Sequence, residues 1–233
     1  MSDPSFAVAL RDAVMYMVAL VLSICVHEFG HAWVADKLGD PLPRSQGRVT
    51  LNPVAHVDPI GTLLLPMARF YFTAIGSAFG GYIIGWGKPV RVSLSPRSMD
   101  RRFTLRTHHL LIAAAGPVMN MVLAVLMSVV YVLLFRLGGD DARGFAAPVL
   151  QIIAMNFGLA FFNLIPCPPL DGGTVLRGLL PRSFDSVLDV FERYGFMILF
   201  FLLATQLLSR ILYPASLFTH WWARVITDIA MGR

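Results

Sequence analysis

Apolar residues come in five long runs, roughly 8–35, 59–87, 107–135, 145–170 and 194–218, separated by short polar stretches. Each run is long enough to supply a spanning helix of about 20 residues. The pattern predicts an all-α polytopic membrane protein with about five to six transmembrane or re-entrant helical segments. The stretch 40–57, DPLPRSQGRVTLNPVAHV, breaks the pattern with Pro, Gly and short β-branched pieces. It reads as a loop with a possible β-hairpin.

Loop charge orients the runs. Lys88, Arg91, Arg97, Arg101, Arg102 and Arg106, opposed by Asp100, mark a cytoplasmic loop, and Asp140, Asp141 and Arg143 an external one. The 107–135 helix then runs outward and the 145–170 helix returns. The first run ends at Lys37, Arg44 and Arg48, also a cytoplasmic signature. Segment 59–87 therefore starts and finishes on one side. Pro66, Arg69, Gly76, Gly80, Gly81 and Gly85 interrupt it, so it reads as a helical hairpin or re-entrant segment. A single tilted span with reversed loops is the alternative. After Pro214, Trp221, Trp222 and Arg224 suit an interfacial helix, with a final short span as the other reading.

Composition agrees with this picture. The chain has 233 residues, 56% hydrophobic and 14% charged, against about 25% charged in soluble domains. Its net charge of +5 is read as loop bias, not as a nucleic-acid footprint. The chain reads as one integral-membrane domain over 1–233, with a catalytic core of about 8–180 and C-terminal helices of about 185–233. Without a basic n-region or a cleavage site, the first helix is expected to be retained. Cys25 and Cys167, both in apolar context, read as small buried hydrophobes without a disulfide.

The chemistry lies in the first run, where His27, Glu28, Phe29, Gly30 and His31 follow one another. Ionisable residues at membrane depth are costly and usually functional. Two His four apart share a helix face and can bind one metal. The intervening Glu28 can act as general base on water activated by the metal. A catalytic zinc needs a third protein ligand. Asp171, in FFNLIPCPPLDGGTVL, ends an apolar run on the side where the first helix ends. Gly172 and Gly173 allow close backbone approach there, and Pro166, Pro168 and Pro169 break the helix. Asp58 is second choice, with an N-cap as its plain role. His108, His109 and His220 read as interfacial.

These motifs resemble the site-2 proteases, intramembrane zinc metalloproteases. The matching pieces are HEFGH at 27–31, GRVTLNPVAHVDPIGT at 47–62, GWGKPV at 85–90, AAAGPVMN at 113–120 and NLIPCPPLDGG at 163–173. They cover most of the chain without a PDZ-like insert or a CBS domain, as in the compact bacterial or archaeal subgroup. The resemblance implies one Zn2+ per chain, held by His27, His31 and Asp171, with Glu28 as base. It places Asn163 near the metal, as a donor to substrate backbone or oxyanion, against the plainer role of capping a broken helix. Asn120 reads either as helix packing or as site shaping. His56 reads as a loop histidine or as a residue bordering the substrate path. Gly116 and Pro117 read as packing and kink residues.

The expected partners are the lipid bilayer and a membrane-protein substrate with a transmembrane helix, with no nucleic acid. The substrate helix must unwind, and an edge strand from 40–57 or 85–90 is positioned to pair with it. The expected location is a bacterial or archaeal inner membrane, with the active site towards the cytoplasm. A metal transporter would account for His27, His31 and Asp171 but leaves Glu28 without a role, and the intact ligands and base argue against a non-catalytic scaffold.

Overall fold

The computed structural model describes residues 4–74, 86–93, 100, 102–139 and 144–233, with no strand among them. Three described helices are long and apolar enough to cross a membrane: α1 (Pro4–Lys37, eligible from Leu10), α4 (Leu105–Leu137) and α5 (Ala146–Asn163). At 1.5 Å per residue, α1 and α4 extend about 50 Å and α5 about 27 Å. The chain is an all-helical polytopic membrane protein.

α4 is the hub, packed against α1, α5, α6 (Asp171–Leu179) and α9 (Tyr213–Met231). Ala19, Ala32 and Ala35 of α1, Ala113, Ala115, Gly116 and Ala124 of α4, and Ala160 of α5 are buried. Small residues let helices approach closely in lipid, where packing replaces the hydrophobic drive. Gly30 marks a close approach of the α1 backbone to α4. A Cβ there would lie 2.7 Å from the Ala115 carbonyl oxygen and 2.8 Å from Met119 Cγ.

The element ends gather as the loop charges predict. The Asp100 N–H donates to the Leu38 carbonyl at 3.0 Å. Arg106 donates to the Arg177 carbonyl and, at 3.0 Å, to Asp185. Arg177 binds Asp189 and Glu192 at 2.7 and 3.0 Å. The end of α1, the start of α4, the end of α6 and the start of α7 (Asp185–Ala204) therefore share one end of the bundle.

The stretch 40–57 forms the loop that was expected but not the hairpin. It holds the short α2 (Leu42–Ser45) and a 3-10 turn at Pro53–Ala55. Its polar groups close locally, as when Asn52 caps the turn by accepting from the Val54 N–H. Segment 59–87 begins with a π-helical turn, Pro59–Leu64, which continues into α3 (Leu65–Ala74). Its two ends meet: Thr62 Oγ1 donates to the Trp86 carbonyl at 2.7 Å, and the Trp86 N–H donates to the Gly61 carbonyl at 3.1 Å. The two described ends of the segment therefore lie side by side. The middle of that segment, 75–85 with its four glycines, lies outside the described residues, as do Arg97, Arg101, Asp140, Asp141 and Arg143.

The C-terminal run differs from the expected single helix over 194–218. α7 ends at Ala204, Gln206 takes a left-handed φ of 58°, and α8 (Leu207–Ile211) and α9 follow. α9 does not lie across the bundle as an interfacial helix would. It runs along α4 and α5: Phe157 packs on Phe218 and Trp222, Trp222 Nε1 donates to Ser128 at 2.9 Å, and Ile226 and Ala230 join the core. Arg136 then binds the Ile229 carbonyl at 2.6 Å. Along a helix in lipid, polar bonds of this kind add to packing.

Candidate metal centre

His27 and His31 project from one face of α1, one turn apart. Their Nε2 atoms lie 3.0 Å from each other. Asp171 opens α6, just beyond the point where Pro166, Pro168 and Pro169 stop the chain from extending α5. Its Oδ2 lies 3.2 Å from His27 Nε2 and 3.4 Å from His31 Nε2. Gly172 and Gly173 press α6 against that loop. A Cβ at Gly173 would lie 2.8 Å from the Pro168 ring, and one at Gly172 would collide with the Leu164 and Ile165 carbonyls.

The far sides of both rings determine which nitrogen carries the proton. His31 Nδ1 faces the Ile112 carbonyl at 2.7 Å, a pure acceptor, so Nδ1 donates and Nε2 keeps its lone pair. His27 Nδ1 lies 2.6 Å from Asn120 Oδ1. The Asn120 amide is oriented by its NH2, which donates to the Ser23 carbonyl at 3.0 Å and to Asn156 Oδ1 at 2.7 Å. Asn156 donates in turn to Ser23 Oγ and the Ile152 carbonyl, and Ser23 Oγ donates to the Ala19 carbonyl. Ser23, Asn120 and Asn156 are fully buried. Oxygen therefore faces His27, Nδ1 is its donor, and Nε2 again presents a lone pair. Ligand histidines held through their other ring nitrogen are a usual mark of metal sites.

Two lone pairs and a carboxylate oxygen thus converge with no proton between them, and Asp171 Oδ2 is buried without a hydrogen bond. A cation resolves that repulsion. Zinc bonds of about 2.0–2.1 Å in a tetrahedron put ligand atoms about 3.3 Å apart, close to the separations of 3.0, 3.2 and 3.4 Å. Gly116 supplies the space. A Cβ at that position would lie 2.6 Å from His27 Cε1 and 2.6 Å from His31 Cε1, and closer still to His31 Nε2. Lys37, the last residue of α1, is six residues beyond His31, or about 9 Å along the helix.

The chain matches the model of Peptidase family M50 over residues 136–205. It is 35% identical over 204 residues to a Bacillus subtilis protein provisionally named zinc metalloprotease YwhC, covering 85% of this chain and 84% of that one. The chain belongs to peptidase family M50, the site-2 protease family. A Mycolicibacterium smegmatis protein provisionally named zinc metalloprotease Rip2 is 30% identical over 198 residues, 84% of this chain and 69% of its own length. Zinc metalloprotease MJ0392 of Methanocaldococcus jannaschii is 25% identical over 216 residues, 91% of this chain and 48% of that protein. No solved structure matches at a significant level. The protein is a zinc metalloprotease of the M50 family, embedded in a membrane.

The other residues singled out in the protease sequence fall differently. Glu28 lies beside His27, and its Oε2 accepts the Val90 N–H at 3.0 Å. Asn120 is not free for substrate, because His27, Ser23 and Asn156 occupy both ends of its amide. His56 follows the 3-10 turn Pro53–Ala55. It is fully buried, with Nε2 bonded to the Thr50 carbonyl at 2.8 Å, and burial pushes its pKa down. The Asn163 amide donates to the Leu159 carbonyl of its own helix at 3.0 Å. Asp58 takes its plain role, accepting from the Ile60 and Gly61 N–H groups at 3.0 and 2.7 Å. His108 is fully buried, with its Nδ1 bonded to the Thr104 carbonyl at 2.8 Å. His109 and His220 are exposed. Cys25 and Cys167 are buried and free.

Sequence reasoning overlooked Ser23 and Asn156. Their signal was present, since each is a polar side chain inside an apolar helix. Arg48 was read only as loop charge, yet it is buried and bonded to the Ala55, Lys88 and Pro89 carbonyls. The Trp86, Lys88 and Val90 N–H groups are all bonded inward, to Gly61, His56 and Glu28.

Proposed function

We propose that this metalloprotease is of the intramembrane, site-2 type. It cleaves peptide bonds within or near transmembrane segments of membrane-protein substrates, as a step in regulated intramembrane proteolysis. The observation that carries the reading is the donor set itself: His27, His31 and Asp171 converge among membrane-length helices, about 9 Å inside the end of α1.

These three residues would hold the zinc. When bound, the metal supplies Lewis acidity, easing deprotonation of water and polarising a peptide carbonyl. Glu28 takes a proton from water as its oxygen adds to the carbonyl carbon. As the C–N bond breaks, Glu28 returns the proton to the leaving amine, giving a carboxylate and an amine terminus. Asn163 turns from Leu159 to donate to the developing oxyanion. A substrate helix must unwind first, because helical carbonyls are bonded and shielded. Basic loops at the α1–α4–α6 end support a site towards the cytoplasm, in a bacterial or archaeal inner membrane.

The test compares wild type with Glu28→Gln in detergent, on a model single-span substrate read by mass spectrometry. Wild type cuts in the cytoplasm-proximal half, faster where Gly, Asn or Pro lowers helix propensity. Glu28→Gln keeps about one zinc per chain and loses cleavage. Cleavage by Glu28→Gln, or cuts clustered in the external half, would overturn the reading.

A further inference from the structure

Arg48 is 4% exposed and binds three backbone carbonyls, those of Ala55, Lys88 and Pro89, the last at 2.8 Å. A buried guanidinium costs several kcal/mol unless its charge is used, and Arg keeps that charge inside proteins. Burial pulls its pKa below the usual value, and the negative charge of Glu28 pushes it back. The chain between them is informative. The Pro89 carbonyl and the Val90 N–H belong to one planar peptide unit and point in opposite directions when it is trans. Only Pro168–Pro169 is cis among the described residues. Arg48 therefore holds the oxygen of this peptide while its N–H donates to Glu28 Oε2 at 3.0 Å. A cation on the carbonyl polarises the amide and strengthens its N–H as a donor.

We infer that Arg48 is a positioning residue for the base. Through the Pro89–Val90 peptide it anchors one oxygen of Glu28 and leaves Oε1 to meet the attacking water. The Lys88 carbonyl, bonded to the same nitrogen of Arg48, stops the peptide from rotating. Asp40 secures the far end of the segment, accepting the Ser93 N–H at 2.5 Å. His27 and His31 are held separately, by Asn120 and the Ile112 carbonyl, so this anchor acts on the base and not on the metal. The inference rests on Glu28 being the base.

The experiment uses the full chain in detergent with the model substrate. Arg48→Ala and Arg48→Lys are measured for kcat, KM and zinc content, beside Val90→Pro, which removes the N–H that Glu28 accepts. The expected result for Arg48→Ala is a kcat loss of at least about tenfold with KM within about twofold, the signature of an interaction needed for the chemical step. Zinc stays at about one per chain. Arg48→Lys, which keeps the charge but not the fork, recovers part of the loss. Val90→Pro loses as much kcat as Arg48→Ala, and the double variant is no worse than either, because both act through one peptide. If Arg48→Ala does not fold, the same cycle is run with Arg48→Lys. Multiplicative losses, a KM effect alone, or zinc loss would assign Arg48 to loop cohesion and overturn the inference. A wild type that does not cleave, or an active Glu28→Gln, would instead strike the proposed function.

Discussion

Gly116→Ala is a one-carbon change aimed at the metal centre. The added Cβ would lie 2.6 Å from both His27 Cε1 and His31 Cε1. Carbon atoms settle at about 3.5–4.0 Å, so each ring must retreat by about 1 Å. Neither ring is free to do so, because His31 is tied to the Ile112 carbonyl and His27 to Asn120. Metal–ligand distances tolerate about 0.2 Å, so a shift several times larger breaks the donor set. The expected loss in zinc affinity is at least about tenfold, in the range of 10–100-fold seen when outer supports of metal ligands fail. The assay is competition against a chromophoric chelator, with cleavage and thermal unfolding measured on the same sample. Gly30→Ala is the control for helix separation, since its Cβ meets the α4 backbone at Ala115 and not the rings. That variant should lower the melting temperature, whereas Gly116→Ala should lose zinc with a smaller change in melting. Stoichiometric zinc at wild-type affinity in Gly116→Ala would refute the geometry.

Other predictions follow from the same structure. Asn120→Ala strands the His27 Nδ1–H in a buried site and should weaken zinc binding about 10–100-fold, read by the same competition; unchanged affinity would remove the Ser23–Asn120–Asn156 network from the site. Asp171→Ala should lose both zinc and cleavage, whereas a fully active, zinc-loaded variant would remove Asp171 from the ligand set. Stability should fall with acid through His56, which faces Arg48 and Glu28 and whose pKa is depressed by burial. An unfolded His gains a proton near pH 6.5 while the folded ring resists it, so the contribution is complete above about 6.5 and is lost as pH falls through the folded value. Melting temperature should decline below that point, and less steeply in His56→Gln; identical profiles would contradict the burial of a neutral ring. Cysteines placed at Arg102 and Asp140, without Cys25 and Cys167, should label from opposite faces of the membrane, and labelling from one face would overturn the trace of α4.

The ligands were legible because lipid makes them conspicuous. Three ionisable residues in an apolar helix have few reasons to exist, and Asp171 stood out beside a run of Pro and Gly. The pairing of loop ends followed from charge alone, since the positive bias acts on loops before any tertiary contact forms. The supports of the ligands were not legible. Asn120 reaches His27 across 93 positions, and Asn156 reaches Ser23 across 133. No local pattern encodes which polar side chains of separate helices will face each other. Gly116 looked like a packing glycine, and only the approach of α1 makes it the floor under two rings. Arg48 looked like any cytoplasmic charge until the 86–90 segment folded over it. The C-terminal run misled for a related reason: hydropathy reports what avoids water, and lipid and protein interior avoid it alike. The break at Gln206, and the course of α9 along α4 and α5, depend on shape and hydrogen bonding between helices, which exist only once the helices have packed.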